Sequence, residues 1–299
     1  MMTRTTYPVL VLCGRDANRR ELLKVHDPDG KYSSKALLPM LGKRVIDWQL
    51  ESLQASSYVA EIYLIGLHKD DYPFNDKVQH IPIETTSTFQ EKVTAGWDAL
   101  SRIYPDLDHM VISTGDAPAI TTKAIDQFFA ALGQNRDADG LITAVPEEIM
   151  AKEFPEHGRR FGKFLDQNLY FGEMAAIRKN SIPVIKNELN QFTNWLRQFN
   201  RRHDTLKSEP MLVYLAKNPR LLLLICKYFA KRPRLCLLIF KYLSGRLSLA
   251  DAEKILSKFL NLKIKVTIIP DVSISMDMDL PEDYHKLSDY IRRTKLQSY

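Results

Sequence analysis

The period of the hydrophobic pattern switches back and forth along the first 150 residues, and this constrains the fold more than any other feature. Tyr7 to Cys13 is an unbroken apolar run. With no polar face, it reads as a strand covered on both sides. In Val45 to Leu53 the apolar residues Ile46, Leu50 and Leu53 recur at helical spacing. The same exchange predicts strands at 62–66, 110–114 and 140–145, and helices at 89–104 and 121–132. Strands separated by amphipathic helices cannot pair as hairpins. They form a mostly parallel sheet with helices on both faces, a Rossmann-like (GT-A type) α/β fold.

Further along the strict alternation breaks. Residues 164–170 and 173–178 read as a strand pair turning at Phe171-Gly172, which makes the sheet mixed. Helical sequence follows from 182 to 202, a strand returns at 263–269, and a helix opens at Pro281 and runs to 294, with proline in its first turn. One domain is expected over residues 1–299, with 203–250 as a basic amphipathic helical insertion.

In such sheets ligands bind beyond the carboxyl ends of the strands. Three segments are expected there. The first follows the opening strand: Leu12, Cys13, Gly14 and Arg15, then Arg19 and Arg20, and, after a long loop, Lys35 just before Ala36-Leu37-Leu38-Pro39. A glycine and several cations suit a polyanion such as a triphosphate, although a solvated loop would carry the same residues. The second is Thr114-Gly115-Asp116-Ala117-Pro118. Asp116 could cap a helix, but Pro118 with Thr121 or Thr122 already supplies a helix start, which leaves its carboxylate for a cation. The third is Met276-Asp277-Met278-Asp279. If extended, it puts both aspartates on one side and both methionines on the other. Hard oxygen ligands in that arrangement suit Mg²⁺, and Glu282 and Asp283 are explained by the helix start that follows.

Taken in order and spacing, these segments resemble the MobA-like NTP transferase family, which includes molybdenum-cofactor guanylyltransferases, cytidylyltransferases and sugar-phosphate nucleotidyltransferases. The resemblance covers nearly the whole chain apart from the basic insertion. It implies Lys35, with Arg19 and Arg20, at the reacting phosphates. It also implies nucleotide contacts from Leu12, Cys13, Gly14, Arg15, Lys35, Gly115 and Asp116, and Mg²⁺ on Asp116, Asp277 and Asp279. The glycine-rich stretch usual in the family is replaced here by Cys13, Gly14 and Asp16-Ala17-Asn18. Which arginine meets the triphosphate, and which base is preferred, therefore stay open. The expected reaction moves a nucleoside monophosphate from an NTP to a phosphorylated small molecule or lipid precursor, with pyrophosphate released. A phosphate acceptor is already nucleophilic at neutral pH, so no histidine or cysteine base is required. Arg159, Arg160 and Lys163 are candidates to hold that anionic acceptor, although a solvated basic turn would look the same.

Charge sharpens the picture. The formal net charge is +6, yet eight Lys and Arg and no Asp or Glu lie between Pro210 and Ala250, so the remainder is mildly acidic. This is not a nucleic-acid-binding surface spread over the protein. Residues 218–231 are echoed by 232–245, each copy a short proline-initiated basic helix pattern. At about a dozen residues, neither spans a bilayer, which takes about twenty. A helical cap, a dimer interface and a peripheral membrane anchor through 218–245 remain open readings. Cys13, Cys226 and Cys236 show no metal-ligand spacing, and the first apolar run is too short for a signal sequence. The expected location is cytoplasmic, with contact at the inner face of the membrane under the anchor reading. Two other functions fit parts of the pattern: a nucleotide-sugar glycosyltransferase, for which Asp277-Met278-Asp279 mimics the metal motif, and an idle nucleotide-sensing or membrane-binding protein. The Lys35 segment favours the transferase over both.

Overall fold

A computed structural model describes residues 5–14, 20–155, 161–184 and 233–296. Along the main order of the sheet six strands run parallel: β1 (Tyr7–Leu12), β4 (Val59–Ile65), β5 (Val78–Ile81), β6 (His109–Thr114) and, across the sheet, β7 (Gly140–Pro146) and β10 (Ile264–Ile268). The order is β10-β7-β9-β6-β1-β4-β5, with β8 (Gly162–Lys163) paired to β9 (Asn168–Arg178) and β10 (Ile264–Ile268) at the edge. β9 lies antiparallel between β6 and β7, and β10 pairs parallel to β7. The sheet is mixed and mostly parallel, as the pattern predicted.

Alternate residues of each strand feed two cores. Val9 and Val11 join Ile62, Leu64 and Val111 on one face. That face is covered by α2 (Val45–Ala55) and α4 (Thr122–Gln134), which contribute Ile46, Leu50, Phe128 and Leu132. Leu10 and Leu12 join Tyr63, Ile65, Met110 and Ile112 on the other, under Val93 and Leu100 of α3 (Phe89–Ile103). An all-apolar strand is thus explained by two buried faces. Smaller elements lay below the resolution of the period argument: α1 (Glu21–His26), the ribbon of β2 (Pro39–Met40) and β3 (Lys43–Arg44), β5, and α5 (Glu147–Glu153).

The predicted turn at Phe171-Gly172 is not there. β9 runs straight through it, and the reversal lies at 164–167, where the Phe164 N–H donates to the Gln167 carbonyl at 3.0 Å. What interrupts the pattern is a bulge. Ile142 faces Ala175 whereas Ala144 faces Phe171, so β9 carries extra residues across from β7. A Cβ on Gly172 would collide with the Thr143 hydroxyl and come within 3.0 Å of the Ile274 carbonyl, so glycine is there for close approach, not for turning.

Beyond the bulge, α6 (Pro233–Leu243) packs on α7 (Leu249–Leu260), and the chain returns through β10 to α8 (Pro281–Ile291). The second proline-initiated copy is therefore a helix. The first copy, and the helix expected over 182–202 beyond residue 184, lie outside the described residues. A π-helical turn, Arg292–Leu296, follows α8. From it the Lys295 ammonium donates to the carbonyls of Ile120 (2.7 Å), Pro118 (3.1 Å) and Trp48 (3.3 Å) and to the Ser52 hydroxyl (3.0 Å). It thereby fastens the chain's end beneath the loop that follows Asp116. No described helix is long and apolar enough to cross a membrane.

Candidate active site

At the carboxyl end of the sheet an open cleft of about 590 Å³ lies between the loop after β1, the turn after β6, the start of α3 and the stretch before α8. The turn after β6 is fixed first. The Gly115 N–H donates to the Leu12 carbonyl at 2.9 Å, joining the ends of two neighbouring strands. Thr121, whose hydroxyl accepts from the Ala124 N–H, caps α4. Asp116 is consequently not a cap, as the order of residues implied. The stretch before α8 is fixed next. Met276 and Met278 are fully buried, and the Met278 N–H donates to the Asp116 carbonyl at 3.0 Å. The aspartates between and after them are thus directed to the other side. Asp283 accepts from the N–H groups of Asp279 and Leu280, the helix-start role expected for it.

These anchors bring ligand oxygens of Asp116, Asp277 and Asp279 within 4.8 Å of one another. Lys35 joins them. Its ammonium lies 2.5 Å from both Asp116 Oδ2 and Asp279 Oδ1 and donates to the Met278 carbonyl at 2.8 Å. Burial alone would lower the Lys35 pKa, but Asp116 and Asp279 outweigh it, so the group is held above its ordinary value and stays charged at neutral pH. The Arg20 guanidinium reaches Asp279 at 2.9 Å. Asp116 Oδ1 is buried and accepts no hydrogen bond from any described group. An orphaned carboxylate oxygen facing two further carboxylates is the donor set that a hard divalent cation requires, so these residues fit one.

Away from the carboxylates, one cation lies among neutral groups by the glycine loop and the start of α3. The Ser34 hydroxyl donates to the Gly14 carbonyl at 2.7 Å and accepts from the Ala36 N–H, so it sets both the glycine loop and the short turn that carries Lys35. Gly14 has φ +135°, and a Cβ there would run into the Lys92 ammonium. Lys92, from α3, is only 9% exposed and threads between Gly14 and Gly66. Thr86, Ser87, Thr88 and Phe89 complete this side. Cys13 lines it too, but burial pushes its thiol up to about 12, with the Asp116 carboxylate adding to the effect against Lys92, so it is no thiolate at neutral pH.

Of the predicted residues, the cleft gathers Leu12, Cys13, Gly14, Arg20, Lys35, Gly115, Asp116, Asp277 and Asp279. Arg15, Arg19, Arg159 and Arg160 lie outside the described residues. Lys163 does not line the cleft. It sits on β8 with its ammonium over the Phe161 ring. The pattern did not point to the 86–89 stretch, to Lys92 or to Glu173, whose carboxylate accepts from the Thr114 hydroxyl at 2.9 Å. The helix start beside Lys92 was legible in Thr88-x-x-Glu91, which forms a capping box. Lys92 itself has the pattern of a solvated helix lysine, and Glu173 is brought in by the bulge.

A two-faced, mostly parallel sheet with cations and carboxylates at its carboxyl edge is a framework suited to holding a polyphosphate together with a divalent cation. Residues 9–205 match the model of the MobA-like NTP transferase domain, and the chain belongs to that family. A 2-C-methyl-D-erythritol 4-phosphate cytidylyltransferase of Parasynechococcus marenigrum is 29% identical across 42% of this chain and 65% of its own length. The match thus spans just under two thirds of that relative. Among solved structures, a hypothetical transferase from Thermus thermophilus superposes with a TM-score of 0.61 over 94% of this chain and 100% of that one, at 20% identity. A CMP:2-keto-3-deoxy-manno-octonic acid synthetase complexed with CTP gives 0.51 over 97% and 99%, at 10% identity. The 4-diphosphocytidyl-2C-methyl-D-erythritol synthase of Anaerococcus prevotii gives 0.51 over 97% and 99%, at 13%. At these identities the structural likeness is one of fold.

Proposed function

We propose that this chain is a Mg²⁺-dependent nucleotidyltransferase that moves a nucleoside monophosphate, CMP first among the candidates, from its triphosphate to a phosphorylated acceptor and releases pyrophosphate. The observation that carries the reading is the set of three carboxylates around the Lys35 ammonium, with one oxygen of Asp116 buried and unbonded. CTP is put first because the cytidylyltransferase relative and the CTP-complexed neighbour carry that nucleotide in their names.

Asp116, Asp277 and Asp279 would hold Mg²⁺, whose chemistry is to neutralise phosphate charge and polarise the α-phosphate. The chain's own groups do the rest. Lys35 stands between the carboxylates and the open cleft, where its charge meets a triphosphate before and during transfer. Arg20 adds a second cation at the same rim. Gly14, lacking a side chain, lets the nucleotide lie close to the backbone. The attacking oxygen belongs to a phosphate that is already ionised, so Cys13, protonated at neutral pH, takes no part.

The test is pyrophosphate release from each of the four NTPs with Mg²⁺ and a metabolite extract. CTP-dependent release that EDTA abolishes is the expected result. Release of a nucleoside diphosphate from nucleotide sugars instead would make the chain a glycosyltransferase, and equal turnover in EDTA would remove the metal from the mechanism.

A further inference from the structure

The proposed reaction gives no work to Lys92, a buried cation of the cleft. Lys92 stands on α3 one turn after Phe89, and residues three apart share a helix face. Both line the cleft, Lys92 9% and Phe89 48% exposed. Two glycines clear the route of the lysine side chain. A Cβ on Gly66, where φ is +94°, would run into the Cys13 carbonyl and come within 2.8 Å of Lys92 Cε, and one on Gly14 would meet the ammonium itself. A lysine that only covered the outside of α3 would need no such passage.

The row of strand ends shows what the ammonium faces. β6, β1 and β4 lie side by side, followed by Asp116, Gly14 and Gly66 in their turns. The carboxylates gather past β6, whereas Lys92 reaches the cleft past β1 and β4. Neighbouring strands are about 4.8 Å apart, so Lys92 is offset along the row from Asp116 by one to two spacings, about 5 to 10 Å. The lining residues beside it on α3 and its approach, Thr86, Ser87, Thr88 and Phe89, carry no charge. Clustered cations such as Lys35 and Arg20 suit a phosphate chain. An open aromatic ring with one directed donor suits a flat heterocycle.

We infer that Phe89 and Lys92 form the base-binding end of the cleft, the ring lying against the base and the ammonium donating to a base oxygen, so that the site takes oxo-base nucleotides and rejects adenine. The inference rests on the part of the proposed function that puts an NTP in the cleft. An ammonium offers three donors and no acceptor. Cytosine, uracil and guanine each present a carbonyl oxygen to it. Adenine has none, and the amino group beside its N1 and N7 sets donor against donor. A buried donor left without its acceptor is costly, which makes the choice selective.

The test is equilibrium dialysis of the full chain with Mg²⁺ and each of CTP, UTP, GTP and ATP, without acceptor. ATP should bind roughly tenfold or more weakly than the tightest of the other three. Lys92→Met should close most of that gap by weakening the preferred nucleotide and not ATP. Lys92→Gln, whose amide both donates and accepts, should bind ATP about as tightly as the preferred nucleotide. Phe89→Ala, at an exposed position where folding is not at stake, should weaken all four nucleotides roughly tenfold and keep their order. Equal loss of all four in Lys92→Met would make the lysine a phosphate-binding or loop-holding group and overturn the inference. Wild-type protein that binds ATP as tightly as the rest, or Phe89→Ala that binds like wild type, would overturn it as well. Failure to bind any NTP would overturn the inference and the proposed function together. Selective binding without pyrophosphate release would refute the proposed function and leave the base site standing; EDTA-sensitive release with nucleotide preference unchanged in Lys92→Met would do the reverse.

Discussion

Lys35 and Lys295 are both withdrawn from solvent, and they are held by opposite means. At the rim of the cleft, Lys35 is gripped by the charges of Asp116 and Asp279, which raise its pKa against the effect of burial. Beneath the Asp116 loop, Lys295 is surrounded by neutral oxygens, and burial pushes it down to about 8, with the distant Glu51 opposing. The rim contacts are exchangeable, because a metal ion or a phosphate can take over either half of an ion pair. The Lys295 contacts are three backbone carbonyls and the Ser52 hydroxyl, all internal to the fold, which no ligand in the cleft replaces. Charge thus serves the chemistry at one site and the scaffold at the other.

The strongest way to break this comparison is Asp116→Asn. It removes one of three carboxylates and the first of the two charges that raise Lys35, leaving that lysine closer to the condition of Lys295. Turnover should fall on the order of 10³-fold, with the melting temperature little changed. Steady-state pyrophosphate release and Mn²⁺ titration would measure it, and a wild-type rate would remove Asp116 from the site. Asp279→Asn should cost less, since the Asp279 side chain is 48% exposed and its loss is partly made good by water.

Lys35→Ala comes second. A cation aimed at charge that develops on the phosphoryl group acts on the transition state more than on binding. A fall in kcat of about 10²-fold, with KM for the nucleotide changed far less, is the expected split. An unchanged kcat would make Lys35 a structural counter-ion of the carboxylates and no more. Lys35→Arg should rescue little, because the longer planar group cannot sit between two carboxylates 2.5 Å from the same nitrogen.

Which parts of this were legible in the sequence follows from how each residue signals. The sheet was, because a strand buried on both faces, such as Val9 to Leu12, has no polar interruption to mistake for a loop. Asp277 and Asp279 were, because alternation with two methionines states their direction. Gly172 misled: a glycine at a break in pattern reads as a turn, and only the crowding by Thr143 and the Ile274 carbonyl reveals a bulge. Lys92 and Glu173 were hidden because their burial is set by partners distant in the chain, Gly14 and Gly66 for one and Thr114 for the other. In α6 the even spacing of Arg234 and Lys241 was legible, but not that both turn inward to α7, Arg234 to the Lys258 carbonyl and Lys241 to Asp251.

The smallest expected effect, and the one that sharpens the contrast, belongs to Lys295. Its folded pKa of about 8 lies below the ordinary 10.5. Between those values the unfolded chain holds a proton that the folded protein has released, so stability rises with pH across that window and is lost as pH falls back through about 8. A shift of this size corresponds to about 3 kcal/mol. Lys295→Met lacks the titration, so the melting temperature of the wild type relative to the variant should climb by several degrees from pH 8 to pH 10. Pyrophosphate release should fall only a few-fold, since Lys295 reaches the reaction through the Pro118 and Ile120 carbonyls and not directly. A difference between the two proteins that stays flat across the window would mean that four neutral oxygens stabilise the ammonium as well as water does. Lys295 would then stay charged, and dipoles and carboxylates would be equivalent means of holding a buried lysine in this fold.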